Sequence, residues 1–309
     1  MGVMSLVALF KGKGPSGFGY GSTAEVVTQG VALKGKNFLV TGSTSGLGHE
    51  TVRVLAQRGA RVFATGRTKE KAAAALDRMP GVVVPVALEL SEPESVRACV
   101  ATLKQEGIKL HGIIANAGIM ALPKLELSHG YERQFFTNHI GHFLLITGLL
   151  SELAEGGRVV VLSSSAHRMA PKAGIEFDNL SGEKSYSSWR AYGQSKLANL
   201  LFAKQLAKRL QGTGMTANAV HPGVINSGLQ RSMPAFQRIA LTIGTPIAGK
   251  SIPEGAATQC YVATRPELVG VTGEYFADSN LAVPSAQALD SALAERLWQE
   301  SERIIAKLG

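Results

Sequence analysis

A chain of 309 residues, 45% hydrophobic and 18% charged, has globular composition and enough length to bury a full core. Its formal charge of +9 favours anionic partners such as phosphorylated cofactors. No basic run interleaves with aromatics and no Cys/His spacing suits zinc, so nucleic acid and metal are set aside. Cys99 and Cys260 stand far apart and outside any C-x-x-C, as reduced thiols in a cytoplasmic setting do, with organelle or membrane-surface association left open.

VMSLVALF, residues 3–10, is apolar but too short to span a bilayer, and it lacks the basic region and cleavage site of a signal peptide. It reads as an arm packing on the body, or as a weak contact with a membrane surface. KGPSGFGYGS is irregular, and STAEVVTQG makes one or two helical turns capped by Ser22 or Thr23. From residue 35 strands and helices alternate. KNFLVTG is a strand covered on both faces, and LGHETVRVLAQRG is an amphipathic helix stopped by Gly59. ARVFATG, TKEKAAAALDRM and VVVPVALEL follow as strand, helix and strand, the last at a sheet edge because Pro85 cannot donate to a ladder. SEPESVRACVATLKQEG opens with a capping box, Ser91 and Glu94. HGIIANAG is a fourth strand, residues 128–154 one long helix, and GRVVVLSSS a fifth strand. A helix carrying Tyr192, strands at MTANAVHPG and GEYFADS, and a helix over 285–307 complete the chain. The alternation implies an α/β, three-layer, doubly wound Rossmann fold with a seven-stranded parallel sheet. Residues 1–34 are taken as an N-terminal extension and 35–309 as a single NAD(P)-binding Rossmann-type catalytic domain.

Ligands of such sheets bind beyond the carboxyl ends of the strands. After the first strand, VTGSTSGLG spaces Gly42, Gly46 and Gly48 for a tight turn, close approach of a pyrophosphate, and close packing of helix on sheet. After the second strand the acidic residue of an NAD site is missing. Gly66 stands there, followed by Arg67 and Thr68, which suit the 2′-phosphate of NADP better than they suit NAD, although Arg67 alone could be a loop charge. Tyr192 and Lys196 share one helical face. Alone, the pair reads as a packed ring and a solvated charge. His139 and His142 read as packing or solvent-facing groups, His167 and His221 border the expected pocket, and no G-x-S-x-G elbow supports a hydrolase.

These segments, with ANAG (115–118), FFTNHIGHFLL, VVVLSSSAH, AYGQSKLAN, VHPGVINS and GVTGEYFADS, resemble the short-chain dehydrogenase/reductase family, in its retinol dehydrogenase-like branch that includes the WW-domain oxidoreductases. The leader GPSGFGYGSTAEVV also resembles that of a chloroplast envelope translocon-associated member. The resemblance implies that Tyr192 is the general acid/base and that the Lys196 ammonium lowers its pKa and binds the nicotinamide ribose. It implies that Ser164 holds the substrate oxygen, with Ser163 and Ser165 as rivals, and that Asn138 holds a water in the relay to Lys196. An insertion at about 168–188 lies near the site. Gly42, Ser43, Ser45, Gly46, Leu47 and Gly48 are implied to hold the pyrophosphate end. Glu89 and Leu90 are implied at the adenine, with Glu89 where aspartate is usual. Asn116, Ala117 and Gly118 would brace the adenosine pocket, in ANAG where many relatives have NNAG. Pro222, Gly223 and Ile225 would meet the nicotinamide amide, and Ser227 would cover the pyrophosphate. The expected activity is NADP(H)-dependent hydride transfer to or from a carbonyl or alcohol of a lipophilic small molecule, under an apolar lid at about 227–255. A homo-oligomer is compatible. The alternative is an NADP(H)-sensing binding or scaffold protein with little catalysis.

Overall fold

A computed structural model describes residues 11–225 and 249–309. The apolar segment 3–10, Ser227 and most of the expected lid lie outside the described residues. Strands β1 (Asn37–Val40), β2 (Arg61–Gly66), β3 (Val82–Ala87), β4 (Leu110–Ala115), β5 (Leu153–Leu162), β6 (Thr216–His221), β7 (Tyr275–Ala277) and β8 (Asn280–Leu281) form one sheet in the order β8-β7-β6-β5-β4-β1-β2-β3. Seven strands run parallel, as expected. The eighth turns back antiparallel on β7 through Asp278 and Ser279, both at positive φ (53° and 61°). That return rests on two left-handed residues, neither of them glycine, so the glycine of a common two-residue hairpin is missing there.

The continuous apolar runs are buried because both sheet faces are covered. Alternate residues of β1 divide between two cores, Leu39 on one face and Phe38 and Val40 on the other. The first core takes α4 (Pro93–Gln105), α6 (Ser188–Arg209) and α8 (Ser291–Lys307), and the second takes α2 (Gly46–Gln57) and α7 (Ile252–Thr264). The helix of TKEKAAAALDRM is α3 (Lys69–Leu76). β3 is the sheet edge that Pro85 requires. The helical turn α1 (Ala24–Val27) is capped by Thr23, and Ala24 and Val27 are buried in the second core.

Two local expectations fail. α4 starts at Pro93 behind Glu92, with no side-chain cap. Proline at the first helical position presets the turn, while the Ser91 hydroxyl donates instead to Glu89 Oε1 (2.8 Å). The long helix starts not at Ser128 but at Arg133. A small hairpin pairs Leu127–Ser128 with Tyr131–Glu132 around His129 and Gly130, both at positive φ. The Glu132 carboxylate then accepts the Phe135 N–H (2.8 Å) and opens α5, comprising Arg133–Phe135, a π turn Phe136–Ile140 and Gly141–Leu149.

Candidate active site

The winding reverses between β1 and β4. The chain leaves β1 toward β2 and β3, then returns to lay β4 on the other side. The turns after these two strands therefore meet at the switch point, where open α/β sheets bind ligands. Gly42 (φ +69°) lies so close to Ala117 that a Cβ would stand 2.9 Å from its Cα. At Gly48 a Cβ would stand 2.2 Å from the Gly42 carbonyl oxygen and 2.6 Å from Asn116 Nδ2, so α2 can approach the sheet only without a side chain there. Gly46 (φ +61°) differs: nothing lies within 4 Å of its Cβ position. Open space thus faces the first turn of α2, whose N–H groups have no intrahelical partners.

The remaining cofactor candidates divide by what their groups already do. Ser43 is buried, its hydroxyl donating to Val40 O (2.8 Å) and its N–H to Thr65 O (2.8 Å), so it builds the turn. Ser45 is exposed at the N-cap of α2 without a side-chain cap bond. Leu47 packs against Gly255 of α7. Asn116 donates its amide to Thr41 O (2.8 Å), and the N–H groups of Asn116 and Ala117 both reach Thr41 Oγ1 (2.9 Å each). Thr68 accepts the Lys71 N–H as cap of α3 (3.2 Å). Arg67 is exposed, with Nε 3.5 Å from Glu89 Oε2. Leu90 is buried, and its carbonyl lies where a Cβ on Gly141 would be 2.3 Å away.

Beyond β5 the three serines separate. Ser163 donates to the Lys196 carbonyl (2.7 Å) and ties β5 to α6. The Ser165 N–H reaches His221 Nδ1 (3.2 Å). Ser164 is the one hydrogen-bonded to the Tyr192 phenol. Tyr192 and Lys196 are both buried, with the Lys196 Nζ 5.7 Å from the Tyr192 ring centre. That ammonium is anchored on Leu162 O (3.2 Å), which also accepts from Asn199 (2.9 Å). Burial pushes the phenol up to about 12, with the Ser164 bond acting the other way, and pushes Lys196 down to about 8. In the free protein desolvation therefore outweighs the expected lowering of the phenol by its cation.

Asn138 sits in the π turn. Its Oδ1 accepts the Ile119 N–H (2.8 Å), and its Nδ2 donates to Ile119 O and Ser195 Oγ (2.9 Å each). Ser195 in turn donates to Tyr192 O (2.8 Å). A Cβ on Gly118 would lie 3.0 Å from Asn138 Oδ1 and 3.4 Å from Lys196 Nζ, so the β4 turn fits between the two. After β6, Pro222 leads to Gly223 (φ +96°), which rests on the stem of buried Lys250, and Ile225 forms a bridge with Lys250. The insertion packs on the start of α6: a Cβ at Gly193 would meet the backbone of Met169 and Ala170 at 2.8 Å. Thus Asn138, Ser164, Tyr192 and Lys196 converge, and the glycine turn joins them through Gly118.

Sequence reading missed Thr41, Gly141, Ser195 and Lys250 and took His142 only as a packing or solvent-facing group; all five are buried or tightly packed and support this arrangement. Gly141 carried a signal, since a glycine inside a helical pattern often marks a close packing contact. Lys250 forms an ion pair with Asp278 (2.6 Å) beneath the Tyr20 ring (4.8 Å).

A family model for short chain dehydrogenase matches residues 36–238. The chain is 40% identical over 320 residues to Short-chain dehydrogenase TIC 32 B, chloroplastic, of Brassica napus, covering 99% of this chain and 100% of that protein. It is 42% identical over 283 residues to Retinol dehydrogenase 12 of Mus musculus, covering 89% and 88%. The crystal structure of an uncharacterized protein from Mycobacterium paratuberculosis superposes with a TM-score of 0.75 at 32% identity, covering 91% of this chain and 97% of that one.

Proposed function

The chain belongs to the short-chain dehydrogenase/reductase family, and on that premise we propose that it is an NADP(H)-dependent oxidoreductase acting on a carbonyl or alcohol of a lipophilic small molecule, with Tyr192 as general acid/base. The observation that carries the proposal is the buried Tyr192–Lys196 pair, with part-buried Ser164 on the phenol, set against the glycine turn. The open cradle over Gly46, with Gly42 and Gly48 closed by their own neighbours, fits a dinucleotide pyrophosphate.

A bound nicotinamide coenzyme would supply or accept the hydride. The protein's part is the proton and the oxygen. With the phenol up at about 12 and the ammonium down at about 8, neutral pH leaves Tyr192 protonated and Lys196 largely cationic, the state ready for carbonyl reduction. Tyr192 would give its proton to the substrate oxygen while Ser164 holds that oxygen. The Lys196 ammonium would return a proton to Tyr192 and be reprotonated from solvent through a water that Asn138 holds.

The NADP preference rests on Arg67 and Thr68 at the end of β2, where no carboxylate follows the strand. Glu89 faces Arg67 from the next turn, but an exposed pair of this kind contributes only ~0–1 kcal/mol, so a phosphate can take the guanidinium from it. A lipophilic substrate is supported by the apolar side chains near the site, with Met169 half exposed in the turn that follows Ser164 and Val224 half exposed beside Gly223. Buried free thiols at Cys99 and Cys260 fit a reducing compartment such as the cytoplasm, while the chloroplastic relative makes an organelle the alternative. Cell fractionation separates the two.

The decisive experiment is a panel of aldehydes, ketones and alcohols followed at the reduced-nicotinamide absorbance with NADPH and NADH. Tyr192→Phe should abolish turnover and leave NADPH binding nearly intact. Arg67→Asp should move the ratio of kcat/KM values toward NADH. Tight NADPH binding without turnover across the panel would favour the binding-protein alternative.

A further inference from the structure

Between the glycine turn and the Asn138 turn lies a fully buried imidazole that the proposed chemistry does not touch. His142 Nδ1 is 2.9 Å from the Asn138 backbone carbonyl, and its Nε2 is 2.9 Å from Thr41 Oγ1. A carbonyl can only accept, so Nδ1 carries the proton. Burial keeps the ring neutral, down at about 4, so Nε2 is an acceptor and the Thr41 hydroxyl donates to it. Thr41 Oγ1 in turn accepts the N–H groups of Asn116 and Ala117. The result is one directional chain: the β4-turn amides to Thr41, Thr41 to His142, His142 to the carbonyl of Asn138. Each polar atom of the Thr41 and His142 side chains has a partner.

We propose that His142 is a positioning residue that locks the β1 and β4 turns to the Asn138 π turn, so that the cofactor cradle and the proton-relay end keep one register. This rests on the oxidoreductase reading above. The physical case is that the two ends are built by different elements: the cradle by the loops after β1 and β4, the relay by α5. Direct side-chain links between them pass through Ile119 and Gly118, both on loop backbone. His142 adds a rigid link from the body of a helix to Thr41 at the mouth of β1. A ring with two fixed nitrogens transmits a sub-ångström shift at one end to the other, where flexible side chains would absorb it.

The test compares His142→Phe, which keeps the ring volume and removes both bonds, with His142→Gln, whose amide presents one donor and one acceptor. Two readouts are taken: amide hydrogen exchange of peptides covering 36–48 and 112–122, and kcat and KM on a substrate from the panel. His142→Phe should raise exchange in those two segments at least tenfold while the β5–β6 core stays protected. It should lower kcat at least tenfold with less than threefold change in substrate KM. His142→Gln should restore protection and most of kcat. Unchanged local exchange in His142→Phe, exchange raised evenly across the core, or a Gln variant no better than Phe would each overturn the proposal. Because exchange needs no turnover, Tyr192→Phe on its own reports on the reading underneath: an active Tyr192→Phe defeats that reading, whereas unaltered exchange in His142→Phe defeats only this inference.

Discussion

His139 and His142 are fully buried, and desolvation holds them neutral down to about 3 and about 4. The unfolded chain protonates them near ~6.5. Below that pH the unfolded state binds more protons, so stability must fall as pH falls, by up to ~1.4 kcal/mol per pH unit for each ring. Urea unfolding at several pH values between 6 and 4 should show this slope, and His139→Phe should remove one histidine's share of it. Equal slopes in the two proteins would count against the burial of His139. The glycines allow a second residue-level prediction. Gly48→Ala should lose NADPH binding and much stability, because its Cβ would stand 2.2 Å from a backbone oxygen that cannot move aside. Gly46→Ala should cost only the ~1–2 kcal/mol of a left-handed alanine yet still weaken NADPH binding, since its methyl would enter open space facing the α2 terminus. Isothermal titration with thermal unfolding separates the two cases. Phenolate is needed for oxidation, so alcohol turnover should climb with pH from about 7 to 9 while carbonyl reduction does not. A flat oxidation profile would speak against a phenol pushed up to about 12.

At the scale of elements, the π turn is what sequence periodicity cannot show. FFTNHIGHFLL reads as one helix, but five of its residues wind more widely, which aims Asn138 at Ile119 and Ser195. The helix begins late because Glu132 caps it, and an acidic residue ahead of aromatics is an ordinary pattern with no strong start signal. By contrast Pro85 gave the edge strand, since a missing N–H leaves few alternatives. α7 carries a complete capping box: Ser251 faces the Glu254 N–H, and Glu254 faces the Ser251 N–H (2.8 Å). Ser251→Ala should therefore cost ~1 kcal/mol, read as a lowered midpoint in thermal unfolding. No change there would mean that packing against α1, α2 and the sheet is enough to hold the helix. The supporting contacts of the site were illegible for a related reason. Thr41, His142 and Ser195 are common residues whose roles depend on strands brought together from distant parts of the chain, with Thr41 and His142 separated by 101 positions.

Across the whole molecule, alternation and handedness imply a parallel, doubly wound sheet with its ligand groups beyond the carboxyl ends of the strands, while the strand order and the switch point between β1 and β4 come from the structure. The eighth strand and the seat of the N-terminal segment could not be read from the sequence: the first rests on the left-handed backbone of Asp278 and Ser279, and the second on contacts with residues far along the chain, Asn280 among them. Asn280 Oδ1 accepts the Ser16 N–H (3.0 Å) and its Nδ2 donates to Phe18 O (3.1 Å), while Gly14 lies so close that any Cβ there would collide with it. Those partners are 264 positions apart. On the ribosome, the bonds to Ser16 and Phe18 can therefore form only once almost the entire polypeptide has emerged, whereas Glu25 and Thr28 can already meet Arg53 and Arg58 early in synthesis. Asn280→Ala would leave this early segment open to trypsin at Lys11 and Lys13 even in the finished protein, and a nascent chain stalled before residue 280 should show the same cleavage.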